Sequence, residues 1–196
     1  MRPSCVKRCF LILTLLAIAS RGLPQPAQVI LIRHAEKPSD PNAVDLSKEG
    51  QRRAEALVPF LTQEPSLTKY GPPVALYATE RTKHGHSVRT RETIAPLARE
   101  LRLTIQTPYP AESYRRLARS ILGNPKYRGK TVLVCWVHDY IPQLAAALGV
   151  RPEPPKWKGD VYDRVYVISY ESGKAALQEL PQNLFPKDVP HKRRDK

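Results

Sequence analysis

Cysteine is scarce in this chain and unevenly placed. Of the three cysteines in 196 residues, Cys5 and Cys9 lie in the first ten positions, and only Cys135 lies beyond them. A disulfide-stapled scaffold is thereby excluded. Long apolar runs are also lacking. The stretch Phe10 to Ala19 covers ten residues, and a membrane span needs about 20, which excludes a multi-span membrane protein. The chain is not poor in hydrophobic residues: 41% are hydrophobic against 26% charged, which excludes an intrinsically disordered chain. Internal repeats and nucleic-acid-binding motifs are absent. Acidic residues are few, 18 against 32 Lys and Arg for a net charge of +14, and the basic excess is dispersed rather than striped along one element. Proline is plentiful, at 20 residues without a collagen-like period, and implies short elements joined by rigid turns. The length fits a single domain.

The first twenty residues have the make-up of a secretory signal peptide. Arg2, Lys7 and Arg8 form a basic start without an acid, Phe10 to Ala19 is the apolar core, and Ala17-Ile18-Ala19 has small residues at cleavage spacing. Basic and polar residues precede Cys5 and Cys9, which is not a lipoprotein setting. We therefore expect residues 1–20 to be removed after Ala19 or Ser20, with 21–27 a linker and the mature protein periplasmic or extracellular. Cleavage leaves 29 basic against 18 acidic residues, a net charge of +11, and no membrane span. The retained segment as a membrane anchor is the alternative.

The rest of the chain alternates strands and helices. Val29 to Ile32 is an apolar β-branched run, read as a strand buried on both faces. Ser47 is placed to cap a helix running to about Leu61 with a kink at Pro59. A strand follows at 74–78, then a long polar loop from Thr79 to His86. A helix spans 87–101 with an interruption at Pro96, and a short strand covers 103–107. An amphipathic helix runs from Glu112 to Leu122. The most apolar strand is 131–137, with Cys135 a buried, inert thiol. A helix at 141–148 ends at Gly149, a strand covers 165–170, and 175–180 is an edge strand. The basic segment 183–196 is expected to be a disordered tail. This order predicts an α/β fold with a mostly parallel sheet covered on both faces, and such sheets bind ligands at the carboxyl edges of their strands.

Two histidines share that topological position. His34 follows the first strand and His138 follows the most apolar one, so they face one crevice if those strands are neighbours. Arg33 precedes His34. Arg89 opens the helix after the second strand, where free backbone N–H groups favour an anion. Two histidines and two arginines at strand ends make a phosphate pocket with a nucleophile in it. A neutral imidazole can attack phosphorus, like-charge repulsion from the arginines keeps it neutral, and the arginines stabilise the moving phosphoryl group. A carboxyl group must protonate the leaving alcohol and then activate water. This chemistry requires no metal or other cofactor. His84-Gly85-His86 is a poor metal ligand set, with no cysteine or carboxylate nearby, and reads as a solvated or substrate-contacting loop.

Four segments in order resemble the histidine phosphatases of the phosphoglycerate mutase-like superfamily, in the form of a small exported bacterial-type member. Arg33-His34-Ala35-Glu36-Lys37-Pro38 resembles the Arg-His signature. Leu46 to Leu57 is similar to the helix that follows it, Arg89 to Thr93 to the segment with the second arginine, and Val132 to His138 to the strand with the second histidine. The resemblance covers about 28–149 and implies a three-layer αβα sandwich, with a histidine phosphatase domain over 28–182 and no metal. It implies His34 as nucleophile, with Arg33, Arg89 and His138 completing the phosphate pocket. The chain departs from the commonest pattern in its longer, more basic 79–87 segment and in Asp139 after His138. The acid phosphatase branch uses that aspartate as proton donor, whereas the mutase-like branch uses a glutamate where Glu112 stands. Bland roles also exist: a helix-start carboxylate for Glu112 and a helix N-cap for Asp139.

The reading is a phosphatase acting on a small phosphorylated substrate. The alternatives are a phosphoryl-ligand binding module without turnover and a phosphoglycerate mutase-type phosphotransferase. A third reading is polyanion or membrane-surface binding through Lys192-Arg193-Arg194; no nucleic-acid partner is expected.

Overall fold

A computed structural model describes residues 25–83, 88–171 and 173–188. The expected signal peptide, most of the linker, His84, His86 and the basic run 192–194 lie outside the described residues. Eleven regular elements follow in chain order: β1 (Gln28–Arg33), α1 (Lys48–Gln63), α2 (Pro65–Thr68), β2 (Ala75–Tyr77), α3 (Arg89–Leu101), β3 (Ile105–Gln106), α4 (Tyr114–Leu122), β4 (Thr131–Trp136), α5 (Ile141–Ala147), β5 (Arg164–Ser169) and β6 (Ala176–Pro181). They form one six-stranded sheet in the order β3-β2-β4-β1-β5-β6. The β1–β4, β2–β4 and β2–β3 pairs are parallel, and β5 is antiparallel to both β1 and β6.

Successive side chains of a strand point to opposite faces. Because β1 and β4 are apolar at every core position, each feeds two cores. Val29 and Leu31, with Val132, Val134 and Trp136, pack under α4 and α5 against Leu117, Ile121 and Leu144. Ile30 and Ile32, with Leu133 and Cys135, pack under α1 and α3 against Leu57, Leu61, Ile94 and Leu97. The result is three layers, helix on sheet on helix, as expected. Cys135 is fully buried, and burial pushes its thiol pKa up, away from the reactive range.

Most elements lie within a few residues of where the sequence put them, with three differences. Helix α3 is continuous through Pro96. A proline inside a helix costs about 3 kcal/mol, but Pro96 is buried, so packing of its ring offsets the lost hydrogen bond. Helix α1 runs through Pro59 to Gln63, two residues past its expected end. The helix expected from Glu112 is a 3-10 turn over Ala111–Ser113 that leads into α4. Residues 183–188, read as the start of a disordered tail, are instead held against the domain. Their amides Leu184 and Phe185 donate to Asp188 Oδ2 at 2.8 and 3.1 Å, and Asp188 is buried against Arg53.

Candidate active site

The condition set by the sequence, that the two histidine-bearing strands be neighbours, is met. β1 and β4 pair in parallel with Arg33 opposite Trp136. The His34 amide then donates to the Trp136 carbonyl at 3.2 Å. His34 leaves the sheet beside the segment that reaches His138 two residues later. β2 lies on the other side of β4, so the start of α3, with Arg89, comes to the same edge.

Short-range bonds lock this edge. The Ala35 amide donates to Thr93 Oγ1 at 2.8 Å, and that hydroxyl donates to the Arg89 carbonyl at 2.7 Å. The Arg89 side chain donates through Nε to the Asp45 carbonyl at 3.1 Å and through Nη2 to the Ala43 carbonyl. Ser47 caps α1 as expected, accepting from Gly50 N at 3.0 Å, while its own amide donates to the Glu36 carbonyl at 2.9 Å. The loop after the nucleophile is thus tied to the first turns of both α1 and α3.

His34 is 6% exposed. Its Nδ1 lies 2.8 Å from the Ala35 carbonyl oxygen. A carbonyl can only accept, so Nδ1 carries the hydrogen and Nε2 of the neutral ring keeps its lone pair. Burial lowers the pKa of His34 to about 3, with Arg33, Arg89 and His138 adding repulsion and the Ala35 carbonyl opposing them. The like-charge repulsion expected from sequence is therefore present, but desolvation is the larger cause. His138 is also shifted down, by burial and then by Arg33, against the opposing pull of Asp139. Lys37 and Lys156 add repulsion there.

Arg33 is buried and held by the loop before β5. Its Nη1 donates to the Gly159 carbonyl at 2.7 Å and the Val161 carbonyl at 3.1 Å. Among the described residues, Arg33 Nε and His138 Nδ1 are buried without a hydrogen-bond partner. Buried polar groups are ordinarily satisfied, so these two atoms stand out at this edge of the sheet. Gly159 packs on His138: a Cβ there would stand 3.2 Å from Nε2.

The two donor candidates differ in placement. Asp139 Oδ1 lies 3.5 Å from His138 Nε2, with its side chain 61% exposed. Glu112 is exposed on the 3-10 turn, which is pinned to the end of β4 by Trp136 Nε1 donating to the Ala111 carbonyl at 3.0 Å. Among the described residues no hydrogen bond joins Glu112 to either histidine. Nor do three His, Cys, Asp or Glu side chains converge there as a metal site.

Sequence reasoning missed a buried hub behind the nucleophile. Arg53 donates to Glu36 at 2.8–3.1 Å, to Asp188 at 2.7 and 3.0 Å, and to Gln182 Oε1 at 2.9 Å. Burial pulls the Arg53 pKa down, but Asp188 and Glu36 hold it above its ordinary value. Nothing local signals this, since Asp188 lies 135 residues away. Tyr162, beside Arg33, was missed for the same reason.

No protein-family model matches the sequence, and no curated protein matches it. Solved structures do match its fold. The alpha-ribazole phosphatase of Shigella flexneri superposes with a TM-score of 0.55 at 14% identity, covering 79% of this chain and 96% of that one. The protein histidine phosphatase SixA complexed with tungstate superposes at 0.53 and 14%, covering 79% and 97%. A mutant phosphoserine phosphatase from Entamoeba histolytica in complex with phosphoserine superposes at 0.52 and 12%, covering 80% and 97%. The chain therefore shares the three-layer αβα fold of these three phosphatase structures.

Proposed function

We propose that the protein is a metal-independent phosphatase that hydrolyses phosphomonoesters through a phosphohistidine on His34. The observation that carries this reading is the state of His34: a buried, neutral imidazole with Nδ1 bonded to a carbonyl, Nε2 unprotonated, and Arg33 and His138 beside it. The fold supports it, being shared with an alpha-ribazole phosphatase, a phosphoserine phosphatase and a protein histidine phosphatase.

Nε2 attacks phosphorus and forms the N–P bond as the P–O bond to the alcohol breaks. Arg33, Arg89 and His138 hold the phosphoryl oxygens and stabilise their charge. Asp139, or Glu112, gives its proton to the leaving alcohol. The resulting carboxylate takes a proton from water as that water attacks the phosphohistidine, which frees His34 and releases phosphate. The contact with His138 favours Asp139 as the donor.

Incubation of the purified protein with p-nitrophenyl phosphate should give turnover that His34→Ala abolishes. Acid-labile, base-stable labelling of wild type should accompany it. Turnover surviving in His34→Ala would overturn the mechanism.

A second reading, a phosphoryl-binding module, draws on the exposure of both carboxylates. Phosphate trapped on His34 and never released would favour it. Export rests on the N-terminal sequence alone, and recovery of the protein outside the cytoplasm, lacking about the first 20 residues, would support it.

A further inference from the structure

Arg33 is fixed at one end only by backbone. Its Nη1 reaches two carbonyls of the loop before β5, while Nε has no partner among the described residues. A guanidinium held at one nitrogen can still pivot about that bond. The face of the group is therefore set by what lies against it, and that is the ring of Tyr162, whose centroid is 3.9 Å from Arg33 Cζ. The same ring stands edge-on to His34, with ring centroids 6.1 Å apart and planes inclined at 62°. One half-buried aromatic thus borders both the nucleophile and its neighbouring arginine.

Tyr162 is itself held from behind. Its carbonyl accepts from Gln182 Nε2 at 3.1 Å, and Gln182 Oε1 accepts from Arg53, which also binds Glu36, two residues past His34. The Gln182 amide donates to the Asp163 carbonyl at 2.6 Å. Through Gln182 and Arg53, the loop carrying Tyr162 and the loop carrying His34 share one buried support.

We propose that Tyr162 is a positioning residue for phosphate: its ring backs the Arg33 guanidinium and aims the unpartnered Nε edge into the pocket beside His34. The inference rests on the phosphate-pocket reading. A planar ring is what the role requires, because a guanidinium stacks on an aromatic face and gains cation–π attraction there. The hydroxyl is dispensable.

The test is a double-mutant cycle in the full chain. Tyr162→Phe, Tyr162→Leu and Tyr162→Met are each made alone and with Arg33→Ala. Tungstate affinity is read by calorimetry, and kcat and KM with p-nitrophenyl phosphate. Tyr162→Phe should stay within about twofold of wild type, whereas Leu and Met should weaken tungstate binding and lower kcat/KM by about tenfold at an unchanged melting temperature. Should Leu destabilise the fold, Met, which fills the space without a ring, carries the test. In the Arg33→Ala background, loss of the ring should change neither quantity further. Undiminished tungstate affinity in Leu and Met, or an equal loss without Arg33, overturns the proposal while leaving the pocket intact. A wild type that does not bind tungstate overturns the pocket reading and this proposal with it.

Discussion

The amide of His34 is hydrogen-bonded to the carbonyl of Trp136 at 3.2 Å, one step beyond the last paired residues of β1 and β4. This bond extends the parallel ladder past the sheet's edge. It fixes the first residue of the nucleophile loop relative to the segment that carries His138, so the two imidazoles inherit their relative position from strand register. Catalytic groups placed by rigid elements are more precise than groups placed by free loops.

The buried state of His34 has a consequence for pH. Its pKa falls from 6.5 to about 3 on folding. Between those values the unfolded chain binds the proton and the native chain does not, so stability rises with pH across that window. The contribution is complete above about 6.5 and is lost as pH falls towards 3. Urea unfolding of wild type should show stability declining from pH 7 to 4 more steeply than in His34→Asn. Parallel slopes would contradict a buried neutral histidine.

The Arg53 hub should matter for stability out of proportion to its distance from the surface. Removing the guanidinium takes their shared buried cation from the Glu36 and Asp188 carboxylates, both below 10% exposed. Loss of one partner of a buried ion pair costs about 3–5 kcal/mol. We expect Arg53→Met to lose that much in urea unfolding, and Arg53→Lys to recover little of it, since an ammonium cannot reach three partners in one plane. Full rescue by lysine would show that charge alone suffices.

Gly50 stands where α1 meets the nucleophile loop. A Cβ there would come to 3.0 Å from the Glu36 nitrogen and nearer still to its carbonyl oxygen, and backbone cannot swing away as a side chain can. Gly50→Ala should destabilise the protein by about 1–3 kcal/mol and lower kcat/KM, because the strain falls two residues from His34. A variant with wild-type melting temperature and activity would show that the loop yields freely.

The proton donor separates by leaving group. With an alkyl phosphate, whose alcohol must be protonated, Asp139→Asn should lower kcat/KM by about 10²-fold or more, while kcat/KM for p-nitrophenyl phosphate is affected far less. Glu112→Gln should leave both near wild type. The reverse pattern would make Glu112 the donor and leave Asp139 as a partner of His138.

Much of the site is legible because its groups sit at ends of elements the sequence marks strongly. Val29 to Ile32 and Val132 to Cys135 are apolar at every position, so their strand character and double burial follow from composition alone, and His34 and His138 follow by counting. Ser47 as cap and the edge position of β6 are likewise local facts. Pro96 was misread because helix propensity weighs a proline's lost hydrogen bond but not the burial of its ring. Desolvation of His34 is not legible in the sequence, which shows charged neighbours and does not show solvent exclusion.

Chain order by itself determined which residue types stand at the carboxyl edge of the sheet: hydrophobic periodicity and turn residues are short-range, and they place His34, Arg33, Arg89 and His138 without knowledge of any distant contact. Tertiary structure alone decided what surrounds them. Tyr162 lies against Arg33 and Asp188 against Arg53 across more than a hundred residues of chain, and no local pattern encodes such meetings. They arise when two layers close on a sheet and bury a guanidinium, which is then met by whatever acceptors and ring faces the closing loops bring against it.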